Sequence, residues 1–183
     1  MLSAMLLATT LAITVATRPE IVTPAIAEAT AAEAGTVWRG TGVEIEWSIG
    51  DRPGWRPDAP MLWVLFIDRC GGAGAGEMPI ASITFVRGEP GHRIVVCRSA
   101  ALAVVDRAAP GNRALPPRRH DELAARVMGR AVAHEIGHYL LGPAHTAAGL
   151  LRAQHSSVDF CAVDTTSFVV TPPLQLARAL PAR

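Results

Sequence analysis

Residues 133–145 read Ala-His-Glu-Ile-Gly-His-Tyr-Leu-Leu-Gly-Pro-Ala-His, which combines two histidines four positions apart with a strong helix stop. On an α-helix, residues four apart lie on one face, so His134 and His138 can aim two imidazoles at one point. Glu135 is rotated by about 100° and can reach a water at that point without being a ligand. Two neutral imidazoles beside a carboxylate are typical of zinc hydrolases. The spacing therefore predicts a Zn²⁺ site with Glu135 as the general base.

The surrounding sequence predicts one long helix, Asp121–Leu141, that carries both histidines. Its apolar residues recur at three-to-four spacing, and its first residues are acidic, which suits the positive end of the helix. Gly142 is a good helix stop, and Pro143 prevents continuation. The chain is therefore expected to turn just after the second histidine, so that His145 can return toward the same metal.

The third zinc ligand is the least determined part of this site. Catalytic zinc sites use three protein ligands and a water, and two histidines from one helix leave the metal under-coordinated. We expect the ligands to be His134, His138 and His145. Asp159 and His155 stay open as alternatives for the third position.

This pattern resembles the metzincin clan of zinc endopeptidases, and within it small bacterial matrixin-like proteins. Those proteins have His-Glu-x-x-His, a helix-ending glycine, a third histidine and then a tight turn with methionine under the metal. Here Gly142 and His145 correspond to that glycine and that third histidine, although each stands one residue further from the second histidine than in the clan. Leu151 replaces the methionine in the turn 148–152. The resemblance covers Asp121–Arg152 and implies an endopeptidase with a hydrophobic floor at Leu151.

Upstream of the long helix, the sequence predicts a sheet. Alternating or continuous apolar patterns indicate four strands, at residues 42–49, 61–67, 80–86 and 92–97. Residues 28–35 are predicted to be a linker or a short helix. The periodicity of residues 99–107 does not distinguish a helix from an extended segment. We expect an α+β fold in which a twisted mixed sheet of about four strands packs on the long active-site helix, followed by an irregular C-terminal tail.

The N-terminal residues 1–27 are predicted to be a signal peptide or an N-terminal anchor. Residues 2–16 are apolar and uncharged but shorter than the roughly 20 residues of a membrane span. They fit the apolar core of a signal peptide, and residues 25–27 offer a small-x-small cleavage site. The zinc metallopeptidase-like domain would then be residues 28–183, and the protein would be secreted or periplasmic.

Three cysteines suit an exported protein in which one pair is bonded. Cys70 follows one predicted strand and Cys97 ends another, so we expect these two to pair and Cys161 to stay free.

The overall charge gives no indication of a polyanionic partner. Net charge is +1, which steers the chain neither to nucleic acid nor to anionic lipid. We expect a monomer that acts on a peptide or protein substrate, with no membrane contact beyond a possible N-terminal anchor. The main rival is a secreted zinc-binding protein of zincin fold without catalytic turnover, and a third reading is an intracellular structural domain with an accidental motif.

Overall fold

The computed structural model describes residues 9–18, 20–50, 60–70, 79–108 and 115–170. Five strands form one sheet: β1 Thr9–Ala16, β2 Val43–Ile49, β3 Met61–Ile67, β4 Ala81–Val86 and β5 Glu89–Cys97. Four helices accompany it: α1 Pro24–Trp38, α2 Arg98–Ala108, α3 Pro117–Leu141 and α4 Ser157–Cys161. A 3-10 turn follows at Thr166–Phe168. No helix in these ranges combines the length and apolar character that a membrane crossing needs.

The sheet is mixed, with strand order β2-β1-β3-β5-β4. The pairs β2/β1, β1/β3 and β3/β5 are parallel, whereas β4 runs antiparallel to β5 at the edge. A tight turn with Arg87 and Gly88 at positive φ joins β4 to β5. The predicted α+β class and the four predicted strands are thus confirmed, and β1 is a fifth strand that was not predicted.

Strand β1 comes from the apolar run assigned to a signal peptide or anchor. Residues 11–15 are all buried, as expected for a parallel strand covered on both faces. A signal core and a buried strand have the same apolar composition, so the pattern alone does not separate them. The expected boundary after residue 27 falls inside α1, and cleavage there stays a prediction. Residues 1–8 lie outside the described part of the chain.

Helices α1 and α3 lie side by side against the sheet, with α1 contacting β2 and α3 contacting β4 and β5. Their contact is close because Gly129 of α3 faces the backbone of α1. The indole N–H of Trp38, at the end of α1, donates to the carbonyl of Ala133 over 3.2 Å. Buried Arg130 pairs with Glu33 of α1 over 2.8 Å. The helix that bears His134 and His138 is therefore fixed to α1 on one flank.

Helix α3 begins at Pro117, four residues before its predicted start. Proline suits the first helical position because its missing N–H would have no intrahelical partner there. The helix ends at Leu141 with Gly142 as its cap, as predicted. The tail is less irregular than expected, since it contains α4, and residues 171–183 lie outside the described residues.

Cys70 and Cys97 form a disulfide, and their Cα atoms lie 5.7 Å apart. The expected pairing is therefore confirmed. Cys161 is a free thiol at an intermediate exposure.

Candidate metal centre

Three imidazoles converge at the C-terminal end of α3. His134 and His138 lie one turn apart on the helix, with ring centroids 4.6 Å from each other. His145 comes from the following loop, and its ring centroid is 4.8 Å from that of His138 and 5.6 Å from that of His134. One donor nitrogen from each ring lies within 4.8 Å of the other two. Among the described residues, this group could hold a metal ion.

The loop geometry explains how His145 reaches the helix pair. Gly142 has φ 94°, a value that L side chains rarely adopt, and its N–H donates to the carbonyl of His138 over 3.0 Å. The helix therefore ends one turn after His138. The N–H of Thr146 then donates to the carbonyl of Leu151 over 2.9 Å, which closes the loop beneath His145.

Backbone carbonyls fix the orientation of the two helical imidazoles. Nδ1 of His134 donates to the carbonyl of Leu150 over 2.7 Å, and Nδ1 of His138 donates to the carbonyl of Gly142 over 2.9 Å. A carbonyl can only accept, so the proton of each neutral ring lies on Nδ1. The two Nε2 atoms, which are 3.0 Å apart, then face each other with lone pairs. This arrangement suits a cation placed against both nitrogens, with the carbonyls as outer partners of the ligands.

The rings are also held in the neutral form. Burial lowers the pKa of His134 to about 4, although the Leu150 carbonyl opposes the shift. Burial likewise lowers the pKa of His138, and that residue is only 6% exposed. Neutral imidazole is the form that binds metal, so neither ring must lose a proton near neutral pH.

Glu135 lies beside the three histidines and is 8% exposed. Its Oε2 accepts the backbone N–H of Ile83, in edge strand β4, over 3.0 Å. Burial raises the pKa of this carboxyl to about 7, and the bond from Ile83 only partly opposes the shift. A carboxyl with a pKa near neutrality is suited to taking up and returning a proton. The partner Ile83 could not be predicted, because it lies on a strand 52 residues away.

The turn after His145 supplies an apolar floor. Leu150 and Leu151 are 3% and 6% exposed and pack against Gly137, which lies between the two helical histidines. A Cβ at Gly137 would lie 2.8 Å from Cδ2 of Leu151. Leu151 is therefore buried against the segment of α3 between His134 and His138, and its place beneath a bound metal stays a prediction.

The two alternative ligands have other partners in this structure. Asp159 caps α4: its Oδ2 accepts from the N–H and hydroxyl of Ser156 and from Arg152 over 2.6–2.9 Å. Its Oδ1 accepts from the hydroxyl of Ser167 over 2.8 Å. His155 stacks on Phe168, with ring centroids 4.2 Å apart. Neither belongs to the three-histidine group.

The remaining histidines, His92 and His120, do not belong to the three-histidine group. His92 contacts the carbonyl of Met61 and the hydroxyl of Tyr139. His120 bonds to Asp106 near the surface.

A cavity of about 850 Å³ opens over the three histidines. Residues of edge strand β4, residues 152–157 and Phe160 line it. Glu135 faces this cavity from α3. The site therefore joins a candidate metal group, a buried carboxyl and a cleft large enough for several residues of a peptide.

Comparisons with known proteins support the fold. No family model matches the chain, and no curated protein matches it. Among solved structures, the crystal structure of archaemetzincin from Methanopyrus kandleri is similar, with a TM-score of 0.52 and 12% identity over 98% of each chain. At this identity the likeness concerns the fold alone. The chain therefore has an α+β fold similar to that of archaemetzincin, with three histidines gathered at the end of its long helix.

Proposed function

We propose that the protein is a zinc-dependent endopeptidase that acts as a monomer on peptide or protein substrates. The observation that carries the proposal is the facing pair of Nε2 atoms, 3.0 Å apart, whose rings donate through Nδ1 to backbone carbonyls. His145 adds a third imidazole to the pair. The structural neighbour, archaemetzincin, shares its name with the metzincin clan, which the sequence motif resembles.

Zinc fits the donor set better than magnesium or calcium does. Three imidazoles with an open cavity beyond them match the ligand number and type of catalytic zinc sites, whereas magnesium and calcium prefer oxygen ligands. We assign His134, His138 and His145 as the residues that would hold it. A bound zinc ion would supply Lewis acidity toward a carbonyl and would lower the pKa of a water.

Glu135 is the proposed general base. It faces the cavity next to the ligand group, and the N–H of Ile83 holds one of its oxygens in place. The carboxylate takes a proton from the attacking water and then delivers it to the amide nitrogen of the leaving chain. Its raised pKa makes both transfers possible near neutral pH.

Strand β4 supports an extended peptide as the substrate. Among the described strands it pairs only with β5, so its other edge faces the cavity. An extended chain can align along such an edge and bond to its backbone groups. This would bring a peptide bond past Glu135, which is already tied to the same strand through Ile83.

A secreted or periplasmic location is part of the proposal. The disulfide between Cys70 and Cys97 supports an oxidising compartment, in which such bonds persist.

The alternative is a zinc-binding protein of this fold without turnover. Two departures from the clan pattern favour it: the extra residue before Gly142 and the leucine at position 151 in place of methionine. Both readings require zinc, so only a test of turnover separates them.

Glu135→Gln is the test of turnover. Glutamine keeps the volume and can accept from Ile83, but it cannot take a proton. We expect about one zinc per chain in the variant and a loss of cleavage of a denatured protein by roughly 10²- to 10⁴-fold. Glu122→Gln, the same change on an exposed residue of α3, is the matched control and should retain both properties. Undiminished cleavage by Glu135→Gln would refute the proposed role of Glu135. A wild-type protein that binds zinc but cleaves no protein substrate would favour the alternative.

His145→Ala tests the ligand assignment. Removing one of three donors should weaken zinc binding by more than about 100-fold, beyond the range found for outer partners of ligands. Competition with a chromophoric chelator measures the affinity. His120→Ala removes a histidine that bonds to Asp106 instead, and should bind zinc like the wild type. Equal affinities in both variants would remove His145 from the site.

A further inference from the structure

The carbonyl of Leu150 has two imidazole partners. Nδ1 of His134 approaches its oxygen to 2.7 Å, and Nε2 of His155 approaches the same oxygen to 3.3 Å. The N–H of Leu150 donates to the carbonyl of Val169 over 2.9 Å. The peptide groups on both sides of this residue are thus tied, and the carbonyl that orients His134 is held from a second direction.

The contacts of His155 determine which of its nitrogens carries the hydrogen. Arg152 lies 3.3 Å from Nδ1 through a guanidinium nitrogen, which can only donate. In a neutral ring, Nδ1 is then the acceptor and Nε2 the donor, which points the N–H at Leu150. Both nitrogens have protein partners, which argues against His155 as a direct zinc ligand or a group that binds substrate.

Aromatic packing fixes the ring that makes these bonds. His155 stacks on Phe168 with an interplanar angle of 12°, and it meets Phe160 edge-on with centroids 5.6 Å apart. Phe168 is 1% exposed and lies 5.1 Å from the guanidinium carbon of Arg130, which is fully buried. Arg130 also bonds to the carbonyls of Ala162 and Asp164 over 3.0 and 2.7 Å. Packing against Phe168 and Phe160 therefore holds the His155 ring in one orientation.

We propose that His155 is a positioning residue for the metal ligand His134, acting through the carbonyl oxygen of Leu150 that both rings share. This inference rests on the proposed metal site. Outer partners of metal-binding histidines set the orientation and basicity of the ligand, and removing one commonly weakens metal binding by about 10- to 100-fold. His155 is one hydrogen bond further from the proposed metal than the Leu150 carbonyl is. We therefore expect its removal to weaken metal binding by a factor near the lower end of that range.

Two variants separate positioning from simple packing. His155→Phe keeps an aromatic ring against Phe168 but removes the N–H. His155→Gln loses the ring but keeps an N–H donor at the end of its side chain. Positioning predicts that the phenylalanine variant binds zinc about 10-fold more weakly, whereas the glutamine variant recovers part of that loss. Packing alone predicts the opposite order.

The measurement is zinc affinity by chelator competition, together with the visible spectrum of the Co²⁺ form, which reports ligand geometry. Thermal unfolding of the metal-free proteins serves as the readout of packing, and His120→Phe is the matched control. A 10-fold loss with an unchanged unfolding temperature supports the inference, and wild-type affinity in His155→Phe overturns it. If His155→Phe does not fold, affinity within about threefold of wild type in His155→Gln supports the inference and a loss of 10-fold or more overturns it.

Failure of this inference is distinguishable from failure of the proposed function. If the wild-type protein binds no zinc at all, both are overturned. If the wild type binds zinc and cleaves protein while both His155 variants behave like it, only the role of His155 is lost.

Discussion

At the scale of single residues, the centre places two adjacent groups whose pKa values move in opposite directions. Burial lowers the pKa of His134 from 6.5 to about 4 and raises that of Glu135 from 4.5 to about 7. Both shifts favour the neutral side chain, because low polarity penalises either charge. Because His134 is already neutral near pH 7, it can bind a cation without first releasing a proton.

These shifts predict how the stability of the chelator-treated protein depends on pH. Between pH 4.5 and 7, folded Glu135 keeps a proton that the unfolded chain releases, so its contribution to stability falls as pH rises. Between pH 4 and 6.5, folded His134 lacks a proton that the unfolded chain binds, so its contribution rises. The two largely offset each other in the wild type.

Glu135→Gln should remove the falling contribution alone. We expect the unfolding free energy of this variant, relative to wild type, to increase with pH by up to about 1.4 kcal/mol per unit between pH 4.5 and 7. Urea unfolding with chelator present, at several pH values, measures it. The exposed Glu122→Gln should follow the wild type, and parallel curves for Glu135→Gln would show that Glu135 titrates normally.

The residue scale also shows how far the motif reaches. The spacing of His134, His138 and Glu135 was readable because one helix carries all three. The partners that complete the site were not readable: Ile83 lies on a distant strand, and the carbonyl of Leu150 lies in a loop. Side-chain types carry no signal for backbone donors and acceptors, so the motif indicates which side chains converge better than it indicates their backbone partners.

At the scale of elements, the contact between α1 and α3 fixes the helix that carries the site. Gly129 allows this contact, because a Cβ there would lie 2.6 Å from both the Cβ of Glu33 and the carbonyl oxygen of Thr30. A backbone oxygen cannot rotate away as a side chain can. The position of α3 against α1 therefore depends on Gly129, which has no side chain.

Gly129→Ala should force α1 and α3 apart. We expect a loss of about 1–3 kcal/mol of unfolding free energy, despite the better helix propensity of alanine. Gly35→Ala in α1 is the matched control, since its Cβ would meet only Nε1 of Trp47 at 3.6 Å, an ordinary contact. That variant should gain up to about 1 kcal/mol. Urea unfolding compares them, and equal effects would mean that the helices do not need this close approach.

Elements differed in how well their patterns predicted them. Strand β2 alternates cleanly and β3 is continuously apolar, so both were predicted within a residue. Helix α1 was ambiguous because its alanine-rich sequence suits a linker as well as a helix, and its helical state depends on packing against α3. Long-range contact, which single-sequence patterns do not report, decides such segments.

At the scale of the whole molecule, the apolar N-terminal run has two readings. As a signal peptide it would leave the protein on export. As β1 it pairs with β2 on one side and β3 on the other. Removing it would leave those two strands without a common partner and would expose the residues that pack on its buried side chains, among them Leu11, Ile13 and Val15. The fold therefore requires residues 9–16, whereas cleavage of the predicted signal peptide would remove them.

A chain of residues 28–183 should therefore fail to fold, because it lacks β1 and the first turn of α1. We expect no cooperative urea transition and at least a 100-fold loss of zinc affinity, since α3 loses the support of α1 and the sheet. Deletion of residues 2–8 keeps β1 whole and is the matched control, with unfolding expected to remain cooperative. Intact mass of the protein isolated from its source completes the test. A mature chain that starts near residue 28, unfolds cooperatively and binds zinc would show that β1 is dispensable and that the first 27 residues are a leader.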